Sequence, residues 1–86
     1  MTITVNVTQA CIDCAGHRAN NCPIAVGMHQ IQGVTEAIVG RRIISVTIDN
    51  ANYFTETPLD ACRFIAVYDN HGHVEPQSFT FDFQPI

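Results

Sequence analysis

The stretch from Cys11 to Met28, CIDCAGHRANNCPIAVGM, constrains the fold most, because it holds three of the four cysteines together with Gly16, Pro23 and Gly27. Two outcomes are open to it. If the thiols hold a metal, the chain is a small zinc-stabilised module. If they do not, the stretch is a helix, a loop and a second helix packed under a sheet, and the residues favour this outcome. Thr8 supplies a hydroxyl cap for a short helix from Gln9 to about Gly16. The run His17 to Asn21 is polar and turn-like. Asn21-Cys22-Pro23 then restarts a helix, since proline fits the first turn, where its missing N–H needs no partner. Ile24, Ala25 and Met28 are expected to face inward; Gly27 weakens this helix and Gly33 closes the region.

On either side the pattern changes to strands. Ile3, Val5 and Val7 alternate with Thr2, Thr4, Asn6 and Thr8, the period of two of a half-buried strand. Val34 to Val39 and Arg42 to Asp49 form two apolar-rich runs around Gly40-Arg41, which predicts a type II′ hairpin with Val39 opposite Arg42 and Ile38 opposite Ile43. Ile44, Val46 and Ile48 then face the core, and the Ile38–Ile43 pair lies outside. Asp49 to Glu56 is expected to be a loop. Thr57-Pro58-Leu59-Asp60 starts a third helix with a hydroxyl cap, a first-turn proline and an acid. It should run to about Asn70, burying Leu59, Cys62, Ile65 and Ala66 with Phe64 and Tyr68, and stop at His71-Gly72. Val74 to Phe83 is the last strand, with Phe79, Phe81 and Phe83 on one face and Pro76 confined to its start. The order is β-α-α-β-β-α-β: an α+β domain over residues 1–86, with a four-stranded, mostly antiparallel sheet and helices packed on one face.

Eighty-six residues bury roughly 60–65% of the unfolded chain's surface, enough for one modest core. Eight acids against four arginines and no lysine leave a net charge of −4, without the basic footprint that direct nucleic-acid binding needs. The N-terminal ten residues have neither the basic nor the continuous apolar segment of a signal peptide, and no run reaches the ~18–20 apolar residues of a membrane span. The expected compartment is the cytoplasm, where thiols stay reduced.

Cys11, Cys14, His17 and Cys22 are the candidate zinc ligands, spaced C-x2-C-x2-H-x4-C. On a helix Cys11 and His17 diverge, so a tetrahedral set needs Cys22 to fold back over a frayed helix end. Packed thiols are the simpler reading, and no cofactor is expected, zinc being the alternative. Cys22, at a helix start, is the one thiol set where its pKa can fall, but catalysis also needs a converging histidine. His71 and His73 flank a glycine and read as a helix end. The acids are scattered, without a paired-carboxylate or H-E-x-x-H pattern, so no catalytic residue is assigned and the chain is not expected to be an enzyme.

Val7-Thr8-Gln9, Cys22-Pro23-Ile24-Ala25, Phe64-Ile65 with Tyr68-Asp69, Val74-Glu75-Pro76 and Phe79-Thr80-Phe81 resemble a group of small proteins encoded by bacteriophages and mobile elements. Proteins of this kind include inhibitors of host defence of the anti-CRISPR type. The chain departs from the pattern at Cys11, Cys14 and Gly27. The resemblance implies a phage accessory protein in the host cytoplasm that binds a host protein or nucleic-acid-handling complex and does no chemistry. The partner-binding candidates are Ile38, Ile43 and Tyr53 as anchors, with Glu36, Asp49 and Glu56 for steering. A zinc-binding or thiol-based regulatory module is the alternative, and a homodimer stays open.

Overall fold

A computed structural model describes residues 1–86. Strand β1 (Thr2–Val7) pairs antiparallel with β5 (Gln77–Asp82), with Ile3 opposite Phe81 and Val5 opposite Phe79. Alternation puts Val5, Val7, Phe79 and Phe81 on the inner face, where all are buried. The outer face of this pair is polar: the Thr4 and Thr80 hydroxyls lie 3.2 Å apart and Ser78 Oγ donates to Asn6 Oδ1 at 2.7 Å.

Helix α1 (Gln9–Cys14) is capped as expected, the Thr8 hydroxyl accepting from the Cys11 N–H at 3.2 Å. It ends before Gly16. Helix α2 (Pro23–His29) has Cys22 as its cap residue and Pro23 in its first turn. Gly27 lies against β1, where a Cβ would come 2.9 Å from Val5 Cγ1, so the glycine that weakens the helix is what lets it dock so closely. Gly33 takes φ +91°, the left-handed position that turns the chain into the next strand.

Strands β2 (Val34–Val39) and β3 (Ile43–Ile48) form the expected hairpin in a different register. Val39 faces Ile44 and Ala37 faces Val46, with Arg41 and Arg42 in the turn and the Gly40 N–H donating to Ile43 O at 2.9 Å. Ile38 therefore lies opposite Ser45. Gly40 does not adopt the positive φ that the first position of a II′ turn requires, so the glycine-led II′ turn is not used. From Glu36 to Val39 each partner moves by two positions, an even slip that keeps these side chains on their expected faces, while a bulge between Val34 and Glu36 turns Val34 instead of Thr35 toward the core.

The Asp49–Glu56 segment is not a loop. Asp49 and Asn50 take φ 50° and 67°, the pair of left-handed residues of a type I′ turn, and Ala51–Glu56 returns as β4 with Ile48 opposite Ala51. Helix α3 (Leu59–Asp69) follows. Thr57 does not cap it: its Oγ1 donates to Gly40 O at 2.6 Å, tying the helix entry to the β2–β3 turn. The buried face of α3 is Ala61, Phe64 and Ile65, while Leu59 is 65% exposed, because the helix leans on β5 through Phe64 and Phe79, whose rings meet edge-on at 5.2 Å.

The four-stranded antiparallel sheet of this α+β fold is present, with a membership that differs from the expected one. Its order is β2-β3-β4-β6, where β6 (Gln84–Pro85) pairs with β4, and β1-β5 is a separate two-stranded sheet. Phe83, buried, is the crossing point: its backbone bonds Met1 at 2.8 Å in both directions before the chain leaves β1 for β4. One apolar cluster fills the space between the inner faces and the helices, with no buried polar side chain.

Candidate functional site

Two regions carry the residues singled out from the sequence. The first is the outer face of the β2-β3-β4-β6 sheet. Register places Glu36 beside Thr47 and Asn52, Ile38 beside Ser45 and Phe54, and Ile43 beside Glu56. Ile38 is 42% and Ile43 50% exposed, diagonal neighbours two positions off the Ile38–Ser45 pair. Phe54, 36% exposed, and Ile86 continue this apolar surface, and Glu36, Ile38, Asn52 and Ile86 line a shallow depression of about 160 Å³. The Thr47 hydroxyl, donating to Asn52 Oδ1 at 2.8 Å, forms part of its floor.

Two of the expected anchoring and steering residues sit elsewhere. Tyr53 lies opposite Val46 on the inner face and packs, half-buried, against the core; the adjacent Phe54 takes the outward position. The reason is parity: the turn at Asp49-Asn50 makes 51–56 a strand, and in a strand neighbours face opposite ways. Asp49 belongs to that turn. Its N–H donates to Gly33 O at 3.1 Å, and its carboxylate lies so near Gly33 that a Cβ there would come 2.6 Å from Oδ1. Glu36, Ile38 and Ile43 share the outer face, and Glu56, placed in a loop by the sequence, joins them there as the end of β4. Phe54 was hidden in the sequence by the loop assignment, though the Asp-Asn pair ahead of it is a recognised left-handed turn signal.

The second region is the cysteine stretch. Its four candidate ligands are not gathered: no group of three or more His, Cys, Asp or Glu side chains is disposed to hold a metal ion. Cys11 is buried, taking a hydrogen bond from the Thr8 hydroxyl at 3.2 Å and one from Gln30 Nε2 at 3.5 Å, while Cys14 is exposed. Helix α1 stops at Cys14, so nothing carries His17 back over it. His17 instead stacks on Tyr68 of α3, ring centroids 4.6 Å apart and 18° from parallel, with His71 at 5.0 Å.

His17 and Cys22 do share a pocket of about 170 Å³ with Asp69, Arg18 and Arg41. His17 Nδ1 is 3.8 Å and Arg41 Nη2 3.5 Å from the Asp69 carboxylate. Burial pushes the Cys22 thiol above the ordinary cysteine range, and the negative charge of Asp69 adds to this; the Ile24 and Ala25 amides oppose it. Such a thiol stays protonated near neutral pH, the opposite of what activates a nucleophile. Tyr68 is likewise raised by desolvation first, then by Cys22 and Asp69. His73 sits apart, its Nε2 2.7 Å from Glu75 Oε1 in solvent.

No helix is long and apolar enough to cross a membrane. No family model, no curated protein and no solved structure matches the chain.

Proposed function

We propose that this chain acts by binding another protein through the outer face of the β2-β3-β4-β6 sheet, with no chemistry of its own. The reading rests on one contrast. The outer face of β1-β5 is closed by hydroxyl and amide hydrogen bonds, whereas the larger sheet exposes Ile38, Ile43 and Phe54 between Glu36 and Glu56. A monomer gains nothing from leaving these apolar groups in water, and a docked partner would dehydrate them.

Two acids and no basic residue among these positions favour a partner surface that is positive around an apolar centre, in keeping with the net charge of −4. A basic nucleic-acid channel has that chemistry. Together with the resemblance to phage-encoded proteins, this supports an accessory protein of the host cytoplasm that occupies a defence complex, in the manner of an anti-CRISPR inhibitor. The high pKa direction at Cys22 and the dispersal of the other thiols disfavour the thiol-based alternative.

The test is association with a purified host defence complex, measured with its nucleic-acid channel free and then filled. Binding should require the free channel, slow as salt is raised, slow again in Glu36→Lys, and be lost in Ile38→Asp and Phe54→Asp while their unfolding curves stay near the parent's. Parent-like binding by all three variants, or no association with any such complex, removes this reading.

A further inference from the structure

Of the four Lys or Arg side chains in the chain, all arginine, three belong to two segments that meet in space: Arg18 in the loop before α2, and Arg41 and Arg42 in the β2–β3 turn. The Val39 N–H donates to Ala19 O at 2.8 Å and ties the segments together. Between them lies the pocket of about 170 Å³, walled by His17, Arg18 and Arg41, with Val39, Ile65 and Cys22 beneath. We propose that this pocket binds a small oxyanion, the phosphate or carboxylate group of a low-molecular-weight ligand, with the Arg18 and Arg41 guanidinium groups as donors.

The donors there are underused. Arg41 has five N–H groups and makes one long contact, 3.5 Å to Asp69 Oδ2. Arg18 forms hydrogen bonds through its backbone alone, leaving its guanidinium without a partner in the chain. Asp69 is the single acid of the pocket and lies 3.8 Å from His17 Nδ1 as well, so the two arginines leave a surplus of one positive charge. An arriving oxyanion answers that surplus; a cation meets repulsion. Planar guanidinium forks suit phosphate and carboxylate oxygens alike.

The frame is already ordered. Gly16 N–H donates to Asn21 O at 2.8 Å and Arg18 N–H to Asn21 Oδ1 at 2.8 Å, so the loop that presents His17 and Arg18 loses little freedom on binding. The volume is about six water molecules' share of liquid, room for one oxyanion and a short apolar tail against Val39 and Ile65.

Amide NMR titration of the intact chain with inorganic phosphate, and separately with propionate, tests this at constant ionic strength. At least one should give saturable shifts centred on Ala19, Val39 and Gly40, the tighter one naming the ligand class. Arg18→Gln and Arg41→Gln should each weaken binding ~10-fold or more, from the loss of a charge-assisted hydrogen bond. Asp69→Asn, which removes the resident competitor, should tighten it, and Arg63→Gln on α3 should leave it unchanged. Linear shifts with both anions, parent-like binding by Arg18→Gln, or weaker binding by a folded Asp69→Asn would each overturn the proposal. Arg18 has no side-chain bond to lose, so its variant carries the test even if Arg41→Gln unfolds.

Discussion

Gly27 faces Val5 across the α2–β1 contact with no space for a side chain: an added Cβ would lie 2.9 Å from Val5 Cγ1 and 3.3 Å from Asn6 O. Alanine in place of glycine gains about 1 kcal/mol of helix propensity. Overpacking a core costs about 1–3 kcal/mol, and a β-branched valine in a strand has few rotamers in which to yield. The clash should win, so Gly27→Ala is expected to lower the unfolding free energy in urea by about 1 kcal/mol. A rise would mean that α2 and β1 are farther apart.

Phe81 and Phe54 separate core from surface. Phe81 is 1% exposed between Phe79 and Phe83, and Phe81→Ala should cost about 3–5 kcal/mol. Phe54→Ala, on the outer face, should cost about 1 kcal/mol or less. Equal losses in denaturant unfolding would contradict the outward setting of Phe54 on which the binding surface depends.

The Asp49-Asn50 turn makes its own prediction. Asn50 sits at φ 67°, which asparagine and glycine accept and a β-branched residue does not. Asn50→Val should therefore destabilise by about 1–2 kcal/mol, and Asn50→Gly should be neutral or slightly stabilising. If valine is tolerated as well as glycine, β4 is not joined to β3 by this turn.

The alkaline limb of stability should report Cys22. Its folded pKa is raised, first by burial and then by Asp69, so the folded chain holds this proton more tightly than the unfolded one. That contribution is fully present below the unfolded thiol's pKa of about 8.5 and is lost as pH rises through the higher folded value. Tyr68, raised in the same direction, extends the fall to higher pH. The melting temperature should drop on the alkaline side, and Cys22→Ala should flatten part of the drop. An unchanged slope would argue that the thiol is open to water.

Cys14 is exposed, and no metal-binding group surrounds it. Cys14→Ser should shift stability by no more than about 0.5 kcal/mol, and a chelator should leave the melting curve where it was. One zinc per chain, lost together with the fold on this substitution, would restore the metal reading.

Local chemistry by itself determined the elements whose signals lie within a few residues of one another. The alternation of Ile3, Val5 and Val7, the Thr8 cap, Pro23 in the first turn of α2 and the Phe79-Phe81 alternation all appear in the structure as their spacing implies. So does the facing of Glu36, Ile38 and Ile43, since an even slip in register cannot turn a strand over. β4 was legible in principle, through Asp49-Asn50, and was obscured because polar Asn52, Thr55 and Glu56 dilute its apolar pattern. Only the tertiary structure decided that β1 takes β5 as its partner while β2, β3 and β4 take β6, that His17 leaves the cysteines to stack on Tyr68, and that Arg18 meets Arg41. Those choices join residues tens of positions apart. They turn on how the apolar faces close over one core, a sum of many weak contacts that no short stretch of sequence encodes.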